Sequence, residues 1–200
     1  MLSIVITARN SLGLMMPFWK GDLGWSYKFV SIASALMMVT MAATAPVLGS
    51  IIDRFGSRVI YAVGMTVIGI VYILCSFMTE PWQLVVVFSL VGGVAFAAMA
   101  PSLVSTTIAH HFKERLGLAT SMATSGSTGG QFAIMPLFAL LITVLSWRNS
   151  FFIAGIVILV TALVVFLLIG KEPPRPKTDS GTAKSSVLTT IGGLAQMPVF

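Results

Sequence analysis

The sequence predicts an all-α protein that crosses a bilayer several times, and three observations carry that prediction. Apolar residues (AVILMFWYC) make up 56% of the 200 residues and charged ones only 9%, whereas a soluble domain carries about 25% charged residues. The mean hydropathy is +0.98. The apolar residues are gathered in six long runs, and a helix crossing a hydrocarbon core of about 30 Å needs roughly 20 such residues. A transmembrane barrel is excluded, because the runs lack the alternation of lipid-facing and lumen-facing positions that spanning strands require.

The first run, Met1–Trp19, reads as a membrane helix rather than a cleavable signal, since no basic stretch opens it and Arg9 stands at its middle. Lys20–Gly24 breaks it. The second run, Tyr27–Ile52, stops at Asp53-Arg54-Phe55-Gly56-Ser57-Arg58, and the third, Val59–Thr79, stops at Glu80-Pro81. The fourth, Trp82–Ala109, ends in the polar stretch His110–Arg115. Ser146-Trp147-Arg148 is a turn between the fifth run, Leu116–Leu145, and the sixth, Asn149–Gly170. Residues 1–170 therefore form one six-helix bundle. From Lys171 to Lys177 the chain is charged and Pro-rich, then rich in Ser, Gly and Thr, so residues 171–200 read as a solvated linker with an apolar end at Val187–Phe200.

Loop cations orient the bundle. Arg54, Arg58, Lys113, Arg115, Lys171, Arg175, Lys177 and Lys184 fall on one side, against Lys20, Lys28 and Arg148 on the other. The richer side is expected in the cytoplasm, with both ends of the segment, in a plasma or inner membrane. The net charge of +6 and pI of 9.9 come from cations scattered at the ends of apolar runs, facing lipid headgroups, and form no basic stripe for nucleic acid.

Enzyme chemistry has little to work with. Asp22, Asp53, Glu80, Glu114, Glu172 and Asp179 all lie at span ends or in loops, so no intramembrane carboxylate can act as acid or base. Cys75 is the only cysteine and sits inside an apolar run, where it reads as helix packing. His110 and His111 are adjacent and cannot share a helix face, so they read as interfacial rather than metal-binding. No metal or other cofactor is expected.

Arg9 is the sharpest single residue. A cation near mid-bilayer costs about 2.5–3.5 kcal/mol on insertion scales, so it faces a cavity or a partner. Gly13, Met16 and Pro17 share its face and leave room beside it. Two readings stand: a substrate carboxylate gripped by the guanidinium fork, or a snorkelling or structural cation bound to backbone carbonyls. The fifth run carries Thr120, Thr124, Thr128 and Gln131 on one stripe, which either packs against another helix or lines an aqueous cavity, with Gln131 the best candidate contact. Asn10 and Phe96 complete the candidate substrate-binding set, although Phe96 and the 12 methionines also read as packing.

The loop Gly49-Ser50-Ile51-Ile52-Asp53-Arg54-Phe55-Gly56-Ser57-Arg58 resembles the G-x-x-x-D-R-x-G-x-R loop of the major facilitator superfamily. Gly49 allows close helix approach and Gly56 a tight turn. Asp53 can face a helix N-terminus, and Arg54 and Arg58 offer forked donors to carboxylates or headgroups. Ala8–Gly13 with Pro17, Asp22–Ser26, Phe112–Ala119 and Trp147-Arg148 look like joints of its monocarboxylate and oxalate–formate type branch. The fourth run lacks the arginine of sugar and drug carriers, and the fifth lacks the Gly-Pro pair of drug–proton antiporters.

The resemblance implies the first half of a secondary transporter, a 3+3 inverted repeat whose substrate site lies between two six-helix halves. It implies a small solute as cargo, favouring an organic anion such as a carboxylate, moved by alternating access and coupled to a proton or a counter-substrate. Gly49, Asp53, Arg54, Gly56 and Arg58 would gate one end of the cavity. The chain is then expected to be a fragment whose second half is missing. A carrier of another solute, including an efflux carrier, and a six-span scaffold without transport are the alternatives.

Overall fold

The structure, a computed structural model, describes residues 2–100 and 116–168, and the side chains within them other than those of residues 2, 53–55, 57, 116, 119 and 168. The described chain is all helical: α1 (Leu2–Asp22), α2 (Tyr27–Phe55), α3 (Ser57–Ser76), α4 (Pro81–Ala98), α5 (Leu116–Leu145) and α6 (Trp147–Leu168). All but α1 are both long and apolar enough to cross a membrane. At 21 residues α1 has the length, but Thr7, Arg9, Asn10 and Ser11 lower its hydropathy. The polar stretch His110–Arg115 and the linker 171–200 lie outside the described residues.

Backbone chemistry sets the joints. Gly24 takes φ +70°, after which the Ser26 hydroxyl accepts from the Phe29 N–H at 3.2 Å and caps α2. Gly56 turns the chain between α2 and α3 at φ +84°, its N–H closing on Ile52 O at 2.9 Å; a side chain would be strained there. Pro81 opens α4 while Gln83 Oε1 reaches back to the N–H groups of Thr79 and Glu80 at 2.8 and 3.1 Å. Ser146 makes the joint before α6 in the left-handed region, at φ +76°.

Several boundaries differ from the sequence expectation: α1 runs on to Asp22 and α2 to Phe55, α3 stops at Ser76, and α4 begins at Pro81 and ends at Ala98, ahead of Ala109; two starts also move. Helix α3 begins at Ser57 instead of Val59, and α6 at Trp147 instead of Asn149. The apolar runs stop at polar residues, but Arg58 and Arg148 are helical because each has a partner across the bundle. Helix α4 also departs from plain α geometry, widening to π-helical turns over Leu84–Gly92, a feature with no signal in hydropathy.

Helices α3 and α6 pack most extensively. Gly69 and Gly155 face each other at their crossing: a Cβ on Gly155 would stand 2.9 Å from Gly69 O. Arginines tie both ends of this pair. Near the start of α3, Arg58 donates from Nε and Nη2 to Phe166 O near the end of α6, at 3.1 and 2.6 Å, and lies 4.5 Å above the Phe166 ring. Near the start of α6, Arg148 Nη1 donates to Ser76 O and Met78 O at the end of α3, at 3.2 and 3.1 Å. Last-turn carbonyls lack intrahelical donors and carry the negative end of the helix dipole, so each guanidinium supplies what the other helix lacks.

Helix α2 packs on α4, where Ser89 donates to Ala33 O at 2.8 Å. Helix α1 packs on α5, where Ser3 donates to Gly126 O at 3.0 Å. Exchanging α1–α3 with α4–α6 turns the α1–α5 pairing into the α4–α2 pairing and returns α3–α6 to itself, as a 3+3 repeat requires. At the end where α1 and α3 finish and α2 and α6 begin, Trp19 meets Trp25, Trp147 and Phe151 with ring centroids 5.8–6.2 Å apart. Tyr72 stacks on Phe151 at 4.9 Å, and Trp147 Nε1 donates to Asp22 Oδ2 at 2.7 Å.

Candidate functional site

Helices α2 and α5 bury little of themselves in this bundle. Only 11% and 6% of their apolar windows are buried, against 56% for α3. Helix α5 turns Met122, Phe132, Leu137 and Val144 outward. On α1 the core face runs through Val5, Ala8, Leu12, Met15 and Trp19, while Gly13, Pro17 and Lys20 are exposed. The open side of the bundle is therefore built from α1, α2 and α5.

Arg9 and Asn10 are half-buried between those two faces of α1. Arg9 Nε is buried with no hydrogen-bond partner among the described residues. Asp22 and Glu80 are the described acidic side chains, and Asp22 is engaged by Trp147 at the far end of α1. Space beside Arg9 is provided by Gly13, around whose Cβ position nothing lies within 4 Å. A buried guanidinium nitrogen without an acceptor is costly, and an anion supplies both charge and acceptors.

The register of α1 on α5 decides which polar residues Arg9 can work with. Ser3 meets Gly130, and Thr7 and Ser11 share a cavity wall with Ile134 and Phe138. The two helices thus run in the same direction and advance together, which sets Arg9 level with Pro136. At 1.5 Å rise per residue, Gln131 lies roughly 7 Å below that level, Thr128 roughly 12 Å and Thr124 roughly 18 Å. Arg9, Asn10 and Gly13 lie close together along α1, Gln131 is half-buried on α5 below their level, and Thr124 and Thr128 lie further toward the opposite end. Both threonines are exposed and bond backward along α5, Thr124 to Thr120 O and Thr128 to Thr124 O. Phe96 stands apart from all of them, buried at 2% exposure with its ring 5.7 Å from Phe88.

In the loop between α2 and α3, Gly56 makes the turn the spacing anticipates, and Gly49 lies in the last two turns of α2. The side chains of Asp53 and Arg54 lie outside those described. Arg58 directs its fork at the Phe166 carbonyl of its own bundle. Sequence reasoning also passed over Ser11 and Tyr72, whose hydroxyls meet inside the bundle, and the buried Thr7. Polar residues on the buried faces of two different helices are the signal that could have found them.

Six helices with an open side and a half-buried cation on it define a multi-pass membrane protein of transporter type, with no metal-binding cluster among the described residues. The chain belongs to the Major Facilitator Superfamily, whose sequence profile matches residues 1–200. It is 30% identical over 194 residues to human monocarboxylate transporter 1, covering 90% of this chain and 38% of that protein. Human monocarboxylate transporter 11 is 26% identical over 172 residues, covering 84% and 36%. An uncharacterized MFS-type transporter of Bacillus subtilis, YcxA, is 22% identical over 172 residues, covering 86% and 42%. The chain spans about two fifths of the length of these curated relatives. Its family is one of transporters, not of enzymes.

Proposed function

We propose that this bundle is one half of a secondary active transporter for a small organic anion, a monocarboxylate by the names of its relatives. It works by alternating access against a second six-helix bundle that covers the open side of α1, α2 and α5. Arg9 grips the carboxylate through its fork, Gln131 and Asn10 contribute polar contacts, and Gly13 leaves room. Thr124 and Thr128 line the cavity toward one end, and the loop holding Gly49, Asp53, Arg54 and Gly56 gates that end on the cytoplasmic side of a plasma or inner membrane. The coupling species is a proton or a counter-substrate. The observation that carries this reading is the buried, unpartnered Arg9 Nε on the side of the bundle that its own helices leave uncovered.

The test is uptake and binding of radiolabelled small acids by the intact transporter and its Arg9 variants, compared at equal surface expression. Arg9→Lys keeps the charge and loses the fork, and should weaken binding by about 1–3 kcal/mol, the scale of a charge-assisted hydrogen bond. Arg9→Gln loses both and should bind more weakly still. Undiminished anion binding by Arg9→Gln would make Arg9 structural and remove the organic-anion reading.

A further inference from the structure

Whatever fixes α1 about its own axis also fixes where the Arg9 guanidinium goes. Cross-helix hydrogen bonds hold α1 near both ends: Ser3 donates to Gly126 O at 3.0 Å, and Trp147 to Asp22 at 2.7 Å. A further one holds it beside Arg9. Tyr72 of α3 puts its hydroxyl 2.6 Å from Ala8 O and 2.6 Å from Ser11 Oγ, and Ser11 Oγ stands 2.8 Å from Ala8 O. Two protons serve these three contacts. Whichever way both are used, one hydrogen bond crosses from α3 to the turn of α1 that carries Arg9. Ala8 O itself belongs to the peptide unit whose nitrogen is that of Arg9.

The phenol is held in turn. Tyr72 is buried, its ring stacked on Phe151 of α6 at 4.9 Å and 6.2 Å from Phe88 of α4. Apolar packing grips α1 less firmly at this level. Helices α1 and α3 share little packing surface, and a half-open gap of about 50 Å³ lies between Thr7, Ala8 and Ser11 on one side and Ile134, Phe138 and Ala154 of α5 and α6 on the other. The outer atoms of a helix lie roughly 5–6 Å from its axis, so a turn of about 10° carries them about 1 Å. A group that grips a ligand has to be held within about 0.5 Å.

We propose that Tyr72 is a positioning residue for anion binding: its hydroxyl fixes the rotation of α1 and with it the placement of the Arg9 guanidinium. This role rests on Arg9 being the anion's contact; Tyr72 lies on the core side of α1 and acts only through it. Tyr72→Phe removes the hydroxyl alone. The ring contacts stay, and Ser11 keeps Ala8 O as an acceptor within its own helix, so no hydroxyl is orphaned and the fold stands.

Two readouts on the intact transporter test this. The first needs no ligand. Asn10 is half-buried at the edge of the open side, where a small rotation changes exposure most. In an Asn10→Cys, Cys75→Ser protein, adding Tyr72→Phe should shift the rate of reaction with a water-soluble methanethiosulfonate several-fold. Gly13→Cys, on the exposed face, should keep its rate, and Ser11→Ala, which leaves the Tyr72–Ala8 bond in place, should leave the rate at residue 10 near that of the parent. An unshifted rate at residue 10, an equal shift at residue 13 or an equal effect of Ser11→Ala overturns the proposal. The second readout is binding of radiolabelled propionate. Tyr72→Phe should weaken it about three- to tenfold, the scale of one hydrogen bond, and should not weaken further what binding Arg9→Gln retains, because positioning acts through the residue positioned. Equal losses in both backgrounds would make Tyr72 structural and overturn the proposal. If instead Arg9→Gln binds propionate as tightly as the parent, the anion role of Arg9 falls, and the thiol rates still decide whether Tyr72 sets α1.

Discussion

Placing one methyl group at the centre of the α3–α6 crossing should separate the two helices. In Gly155→Ala the new Cβ would stand 2.6 Å from Ile73 Cγ1, 2.9 Å from Gly69 O and 3.1 Å from Ile73 N. The isoleucine can turn aside. The two backbone atoms can retreat only if the helix axes move apart by several tenths of an ångström, along the most extensive packing surface of the bundle. Alanine gains about 1 kcal/mol over glycine in helix propensity, while overpacking costs about 1–3 kcal/mol. The expected net loss is about 1 kcal/mol or somewhat more, given these opposing terms. At Gly69 the nearest atoms are Leu159 Cγ and Cδ2, at 2.7 and 2.8 Å, which a leucine rotation can relieve, and the one backbone atom, Gly155 O, is farther off at 3.1 Å. Gly69→Ala should therefore cost less than Gly155→Ala. Cys75, buried at 1% exposure in α3, supplies the assay: its reaction with a maleimide during heating, read on the Cys75 peptide by mass spectrometry, reports the opening of α3. Gly155→Ala reacting at the parent temperature or above it would refute the reasoning, as would a larger effect at Gly69.

Other substitutions probe the ends of the bundle and its open side. Arg58→Ala loses a charge-assisted bond to Phe166 O and a ring contact, and should lower stability by about 1–2 kcal/mol after allowance for solvent exposure; Arg58→Lys should lose about half of that, read by the same thiol assay. Trp147→Phe keeps most of the buried ring and removes the donor to Asp22, whose exposed carboxylate turns to water, so a loss of about 1 kcal/mol in the same assay is expected; Asp22→Asn retains an acceptor and should cost less. Gly13→Ala meets open space, so stability should hold or rise by up to about 1 kcal/mol, while anion binding, measured with labelled substrate, should weaken if the room beside Arg9 is used.

What the sequence could reveal follows from the range of each interaction. Helix length and lipid exposure are written locally, so every described helix was anticipated, and Gly56 announced its turn because a positive φ has few other solutions. Partners lying far off in sequence left no local trace. Arg58 and Arg148 looked like loop cations, yet their acceptors are backbone carbonyls 108 and 72 or 70 residues away, and carbonyls have no letter in a sequence. The polar stripe of α5 follows from helical spacing alone, but its level relative to Arg9 depends on the α1–α5 register, which the packing of Ser3 on Gly130 discloses. Phe96 carries the same ambiguity as any aromatic in a membrane helix, since lining a cavity and filling a core require the same residue type.

The reciprocal arginine ties also bear on the order of assembly. The last carbonyls of α3 receive their donor from Arg148, which the ribosome adds 72 residues after Ser76. Until α6 arrives, the end of α3 has only water and headgroups to satisfy it, and Arg58 has no Phe166 carbonyl to hold. The first three helices thus leave the ribosome with an unfinished third member. The second three complete it, so the two repeats mature as one cooperative unit, and a chain interrupted before α6 would present quality-control proteases with a loose α3.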